Sequence, residues 1–76
     1  MNDSDKNLLN SLGNKLRTCR LQKNYSQEKF AELTDLDRTY ISGLERGKRN
    51  PSYLIIKRLC DVLEITPNDL FFGECK

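Results

Sequence analysis

The densest grouping of hydrogen-bonding side chains is the run Asp37-Arg38-Thr39-Tyr40-Ile41-Ser42-Gly43-Leu44-Glu45-Arg46. Read as a helix, it turns Ile41 and Leu44 inward and leaves Arg38, Thr39 and Ser42 together on another side. An arginine at the start of an exposed helix can donate two hydrogen bonds to O6 and N7 of a guanine. A threonine beside it can bond a base edge or touch a thymine methyl. The chemistry these residues suit is recognition of a base rather than bond making. Gly43 costs such a helix about 1 kcal/mol against alanine. Either another surface must come close to the outer face there, or the position is merely tolerant; both readings stay open.

Reaction chemistry has little to work with. Histidine, the commonest general base and metal ligand, is absent. Cys19, Cys60 and Cys75 form no C-x-x-C pair and no zinc spacing. No nucleophile–base pair and no phosphate-cradling glycine loop is visible, so no enzyme, metal, cofactor or small-molecule ligand is expected. Three cysteines in a chain without a secretory signal suggest free thiols in a reducing cytoplasm. Cys19 and Cys60 fall among apolar helical residues and read as small core hydrophobes, whereas Cys75 reads as exposed and oxidisable.

The formal net charge is only +2, but its distribution is uneven. Residues 15–29 carry +4, from Lys15, Arg17, Arg20, Lys23 and Lys29 against Glu28. Residues 38–58 carry +5, from Arg38, Arg46, Lys48, Arg49, Lys57 and Arg58 against Glu45. Acidic segments between and after these blocks cancel most of the charge. The positive blocks coincide with one pair of helices and the loop after it, which favours a polyanionic partner.

The elements that must position these residues are short helices. With 76 residues, the chain makes one small domain, which buries only about 60% of its unfolded surface. Leu8, Leu12, Leu16 and Cys19 mark one face of a first helix that ends near Lys23, with Asn24 as its stop. Ser26 caps a second helix through about Thr34, and Asp37 caps a third through about Arg46, closed by Gly47. Asn50 or Ser52 opens a fourth, running to about Glu64 with Pro51 in its first-turn region. Thr66 caps a short last helix, with Pro67 first in it and Asp69 three after the cap. Tyr25 with Phe30, Leu36 with Ile41, and Ile65 with Leu70 have the spacing of hydrophobic staples. No strand pattern, repeat, linker or membrane-spanning run appears. The expected fold is all-α, with five short helices.

Three segments carry a resemblance: Gly13-Asn-Lys-Leu16-Arg17-x-x-Arg20, Ser26-Gln27-Glu28-x-Phe30-Ala31 and Ile41-Ser42-x-Leu44-Glu45-Arg46-Gly47-x-Arg49-x-Pro51-Ser52. Together they resemble the phage-repressor, Cro or XRE type of helix-turn-helix protein, over roughly residues 8–72. The run from Leu36 to Asn50 is similar, more narrowly, to the controller proteins of bacterial restriction–modification systems. The resemblance implies a lambda-repressor-like fold in which the second helix crosses the DNA backbone and the third enters the major groove. It implies base reading by Arg38, Thr39, Ser42 and Arg49. Gln27, Tyr40, Arg46, Lys48 and Asn50 are implied to hold the DNA backbone. Ala31 matches the small residue where those helices cross. Arg20 and Glu45 match a pair that commonly forms a semi-buried salt bridge in this family, where losing one partner would strand a charge. One departure concerns the turn between the second and third helices, where the family often has glycine and this chain has Asp35. Aspartate enters the left-handed region more readily than most residues.

Ile65, Leu70, Phe71 and Phe72 crowd a terminal helix of about two turns over residues 66–72. So short a helix cannot hide all four on one face, which favours an exposed dimer interface over their all completing the monomer core. The resulting expectation is a cytoplasmic homodimer that binds a palindromic double-stranded operator, activating and repressing its own operon, with RNA polymerase as a further partner of activation. A generic prophage or plasmid repressor of the same fold is the near alternative. An antitoxin-like protein-interaction module is the more distant one, since it would have little reason to keep Gln27, Arg38 and Arg49 amid positive charge.

Overall fold

Side-chain caps begin most of the helices. Ser26, Ser52 and Thr66 accept hydrogen bonds from the backbone N–H of Lys29, Ile55 and Asp69. The Asp69 carboxylate returns the bond to the Thr66 N–H, and Pro67 fills the first helical position. The computed structural model of the protein describes residues 2–73. Its elements are α1 (Asp3–Gln22), α2 (Gln27–Thr34), α3 (Arg38–Glu45), α4 (Tyr53–Leu63) and α5 (Pro67–Phe72), and no strand occurs among the described residues. The all-α expectation therefore holds.

Two details of the starts differ from the sequence reading. Asp37 stands at the cap position of α3 in extended conformation, but its side chain makes no capping hydrogen bond. Ser52, not Asn50, caps α4, so Pro51 precedes the cap instead of lying in the first turn.

The helix ends share one device. After α1 to α4 a single residue takes a left-handed conformation: Asn24 (φ 61°), Asp35 (φ 57°), Gly47 (φ 73°) and Glu64 (φ 59°). At each, the next N–H reaches back to a carbonyl five residues earlier. The bonds are Tyr25 to Arg20 at 3.2 Å, Leu36 to Ala31 at 2.9 Å, Lys48 to Gly43 at 2.8 Å, and Ile65 to Cys60 at 3.1 Å. This Schellman arrangement satisfies carbonyls that a helix end leaves bare and reverses the chain sharply. Asp35 thus makes the turn in which the family often has glycine.

Those reversals fold the helices around one core. Leu16 and Cys19 of α1, Phe30 and Ala31 of α2, Ile41 and Leu44 of α3, and Ile56, Leu59, Cys60 and Leu63 of α4 are buried together, and Leu70 of α5 closes the cluster. The staples enclose it: the Tyr25 and Phe30 rings stack with centroids 6.4 Å apart, and Leu36 and Ile65 pack against the cluster. Gly13 lets α1 lie directly on α3. A Cβ there would stand 2.6 Å from the Glu45 carbonyl oxygen, a clash between backbones that no side-chain motion relieves.

Three expectations about apolar and sulfur-bearing residues are corrected. Leu70 is 2% exposed and belongs to the core of its own chain, packed into the cluster that Ile65 also borders; it is not available to a partner. Leu8 is 69% exposed, because α1 starts at Asp3 and its first turns extend beyond the cluster. Cys60 is a buried free thiol, whereas Cys19 is buried and disulfide-bonded, so free thiols do not describe both. Cys75 lies outside the described residues.

Candidate nucleic-acid interface

The helix α3 packs on the core along one side. Ile41, Leu44 and Glu45 face the interior, while Arg38 and Thr39 are exposed and Ser42 is half-buried. Arg38, Thr39 and Ser42 lie within one turn of each other on the outward side, as a helical period of 3.6 requires. On either side of Gly47, Arg46, Lys48, Arg49 and Asn50 are all exposed. The predicted base-reading and backbone-holding residues of α3 and its following loop thus lie on one continuous stretch of surface chain.

What holds α3 in place is a buried polar junction. The Arg20 guanidinium grips the Glu45 carboxylate with two hydrogen bonds, Nε to Oε2 at 2.7 Å and Nη2 to Oε1 at 3.0 Å. Its third arm, Nη1, donates to the Tyr25 carbonyl at 2.7 Å. Both partners are buried, and no buried side-chain N or O among the described residues lacks a hydrogen-bond partner. A buried charge satisfied on every side is tolerable; an unpaired one is not. Gln27 joins the junction by donating from Nε2 to Glu45 Oε1 at 3.1 Å. The first residue of α2 is therefore aligned by the last residue of α3.

The surface is less uniformly cationic than the sequence blocks suggest. Arg20 is neutralised inside. On α4, Lys57 donates to Asp61 at 2.7 Å, a hydrogen bond that holds its ammonium pKa above the usual value. Arg58 reaches the Thr34 carbonyl at 3.5 Å. The cations left projecting around α3 are Arg38, Arg46, Lys48 and Arg49. Arg38 sits 3.9 Å from Glu28 of α2 with both side chains well exposed, a pairing weak enough to yield to another acceptor. Arg46 Nε donates to the Ser42 carbonyl at 3.3 Å. Arg49 folds back so that its Cζ lies 5.8 Å from the centre of the Tyr40 ring, within cation–π range.

Several of these features escaped the sequence reading. Glu28 and Arg38 meet across the turn between α2 and α3, at a separation that no helical period marks. Gly43, expected on an outer face, is buried because the Arg49 side chain covers it. Tyr53 and Leu54, at 71% and 74% exposure, form an apolar pair on the first turn of α4. Of the residues assigned to a dimer interface, Phe71 and Phe72 are exposed, Phe72 by 85%, and Ile65 is partly buried against the core.

Comparison with known proteins places this geometry. A helix-turn-helix family model matches residues 16–70. The control protein C.MunI of a Mycoplasma species is 48% identical over 60 residues, spanning 78% of this chain and 81% of its own. The crystal structure of the restriction–modification controller protein C.AhdI from Aeromonas hydrophila superposes with a TM-score of 0.80 at 46% identity, covering 83% of this chain and 96% of that one. The controller protein C.Esp1396I, solved as a tetramer with its natural 35 base-pair operator, superposes with a TM-score of 0.76 at 36% identity, covering 84% of each chain. The three segments that resemble this family in the sequence lie in α1, in the start of α2 with its cap, and in α3 with the loop that follows it. The chain belongs to the XRE-type helix-turn-helix family of transcriptional regulators, in the company of the restriction–modification controller proteins, and is a DNA-binding regulator rather than an enzyme.

Proposed function

We propose that this protein is a controller of a restriction–modification operon, binding a palindromic operator as a homodimer. The observation that carries the reading is the packing of α3 on the core along one side: its inner side is locked by the Arg20–Glu45–Gln27 junction, and its outer side presents Arg38 and Thr39 beside the exposed cations of the following loop. In this reading Arg38, Thr39, Ser42 and Arg49 read base edges in the major groove. Tyr40, Arg46, Lys48 and Asn50 hold phosphates, and so does Gln27, kept in register by Glu45. The chain acts as one domain, and its work on an operon puts it in the cytoplasm. Activation at a first site would bring it against RNA polymerase, and filling of a second site would repress.

Dimerisation is proposed to use Phe71 and Phe72, with the partly exposed Ile65, and to extend to Tyr53 and Leu54. Apolar side chains this exposed commonly mark an interface.

The separate roles are testable by titrating fluorescent operator DNA at several salt concentrations. Lys48→Ala should weaken binding to all sequences alike and reduce the slope of log K against log salt by about one. Arg38→Ala should cost about 1–3 kcal/mol on the operator and far less on unrelated DNA. Equal losses on both DNAs for Arg38→Ala would reassign it to the backbone.

A further inference from the structure

We infer that Gly43 is a specificity-positioning residue: by lacking a side chain it provides the floor on which Arg49 lies, and so holds an arginine from outside α3 along the strip of that helix that borders its base-reading side. The inference rests on the proposed contact of Arg49 with DNA and concerns what aims that contact.

The geometry begins at the end of α3. The Gly47 N–H reaches the Leu44 carbonyl at 3.1 Å and the Lys48 N–H reaches the Gly43 carbonyl at 2.8 Å, with Gly47 at φ 73°. This reversal carries the chain back beside the helix it has just left. Arg49 then runs over α3. A Cβ on Gly43 would lie 3.0 Å from Arg49 Cγ, 3.4 Å from Nε and 3.8 Å from Cδ, and these are its three nearest neighbours. The aliphatic stem therefore crosses the helix at Gly43.

Tyr40, three residues earlier and so on the same strip of α3, receives the guanidinium over its ring at 5.8 Å. The side chain runs from the C-terminal end of α3 to Tyr40, along a strip of the helix that borders the exposed Thr39. Glycine in a helix interior is unfavourable against alanine, and the neighbour that a methyl group there would displace is Arg49. An arginine laid on a ring and a bare stretch of helix has fewer rotamers to lose on meeting a base than one free in solvent.

The test uses the full chain and three variants, Gly43→Ala, Arg49→Ala and the double variant. In the free protein, the Arg49 Cδ protons should show an upfield ring-current shift from Tyr40, and Gly43→Ala should move them towards free-arginine values while the fold persists. In selection from random duplex DNA, the base position whose preference is lost in Arg49→Ala should lose about fivefold or more of its preference in Gly43→Ala. The double variant should be no worse than Arg49→Ala.

An unshifted Arg49 signal and an unchanged preference in Gly43→Ala would overturn the inference. So would a further loss from Gly43→Ala in the Arg49→Ala background, since the added methyl would then be acting on DNA directly. If Arg49→Ala itself leaves DNA binding unaltered, the assignment of Arg49 as a DNA contact fails, and the specificity role falls with it. The proton shifts would still report whether Gly43 seats the side chain.

Discussion

Gln27 and Glu45, the first residue of α2 and the last of α3, are joined by a hydrogen bond of 3.1 Å from the side-chain amide to Oε1. The same oxygen accepts from Arg20 Nη2 at 3.0 Å, so three helices meet on one carboxylate. Neither α2 nor α3, at eight residues each, would be stable alone in water. Their mutual angle is set by the core beneath and by this junction.

Glu45→Ala should therefore destabilise the protein by about 3–5 kcal/mol, because it leaves Arg20 charged and buried. Gln27→Ala, which leaves the ion pair intact, should cost about 1 kcal/mol. Denaturant titrations of both variants measure the difference. Equal costs would mean that the junction is not what holds α3.

Glu64 is the least suited of the residues found at positive φ, at 59°. A non-glycine side chain pays roughly 1–2 kcal/mol in the left-handed region, and its ion pair with Lys23, 3.7 Å away and exposed on the Glu64 side, returns little. Glu64→Gly should raise stability by about 0.5–1 kcal/mol after the added chain entropy of glycine is counted. Thermal unfolding would show this as a rise of about 2–8 °C.

Burial raises the pKa of the Cys60 thiol above the ordinary value of 9.0, and neighbouring Asp61 adds to the shift. The native thiol keeps its proton at a pH where the unfolded one ionises. This contribution to stability is complete below the unfolded value and is lost as pH rises through the higher native one. Stability should thus decline above about pH 9. At neutral pH Cys60 should react with a thiol reagent only after denaturation, which rapid mixing with and without denaturant would check.

Leu54→Asp and Phe72→Asp should shift the protein from dimer to monomer in sedimentation experiments while leaving its helical circular dichroism unchanged. Leu70→Asp should instead unfold it, since Leu70 lies in the core. A dimer that survives both surface substitutions would place the interface elsewhere.

The helices were legible because caps and apolar spacing agreed. Ser26, Thr66 and the staple at Tyr25 and Phe30 each had a local signature that the fold kept. The Arg20–Glu45 pair was reachable only through family resemblance, since nothing in a separation of 25 residues marks a contact. Leu70 and Leu8 went the other way because a one-helix pattern says which side is apolar but not how far the body of the protein extends beneath it. Gly43 carried a visible signal, an unfavourable residue in a helix, but the surface that came close to it was Arg49 of the same chain, brought round by a turn whose direction local sequence does not show.

The claim on which everything else depends is that α3 reads DNA in a symmetric pair. Selection of bound sequences by the full chain from random duplex DNA tests it most directly. The account predicts an enriched palindrome whose half-sites are about one helical turn apart, with Arg38→Ala relaxing one symmetric base position in each half. Absence of any enriched motif, or an enriched motif unaffected by Arg38→Ala, Thr39→Ala and Arg49→Ala alike, would contradict it.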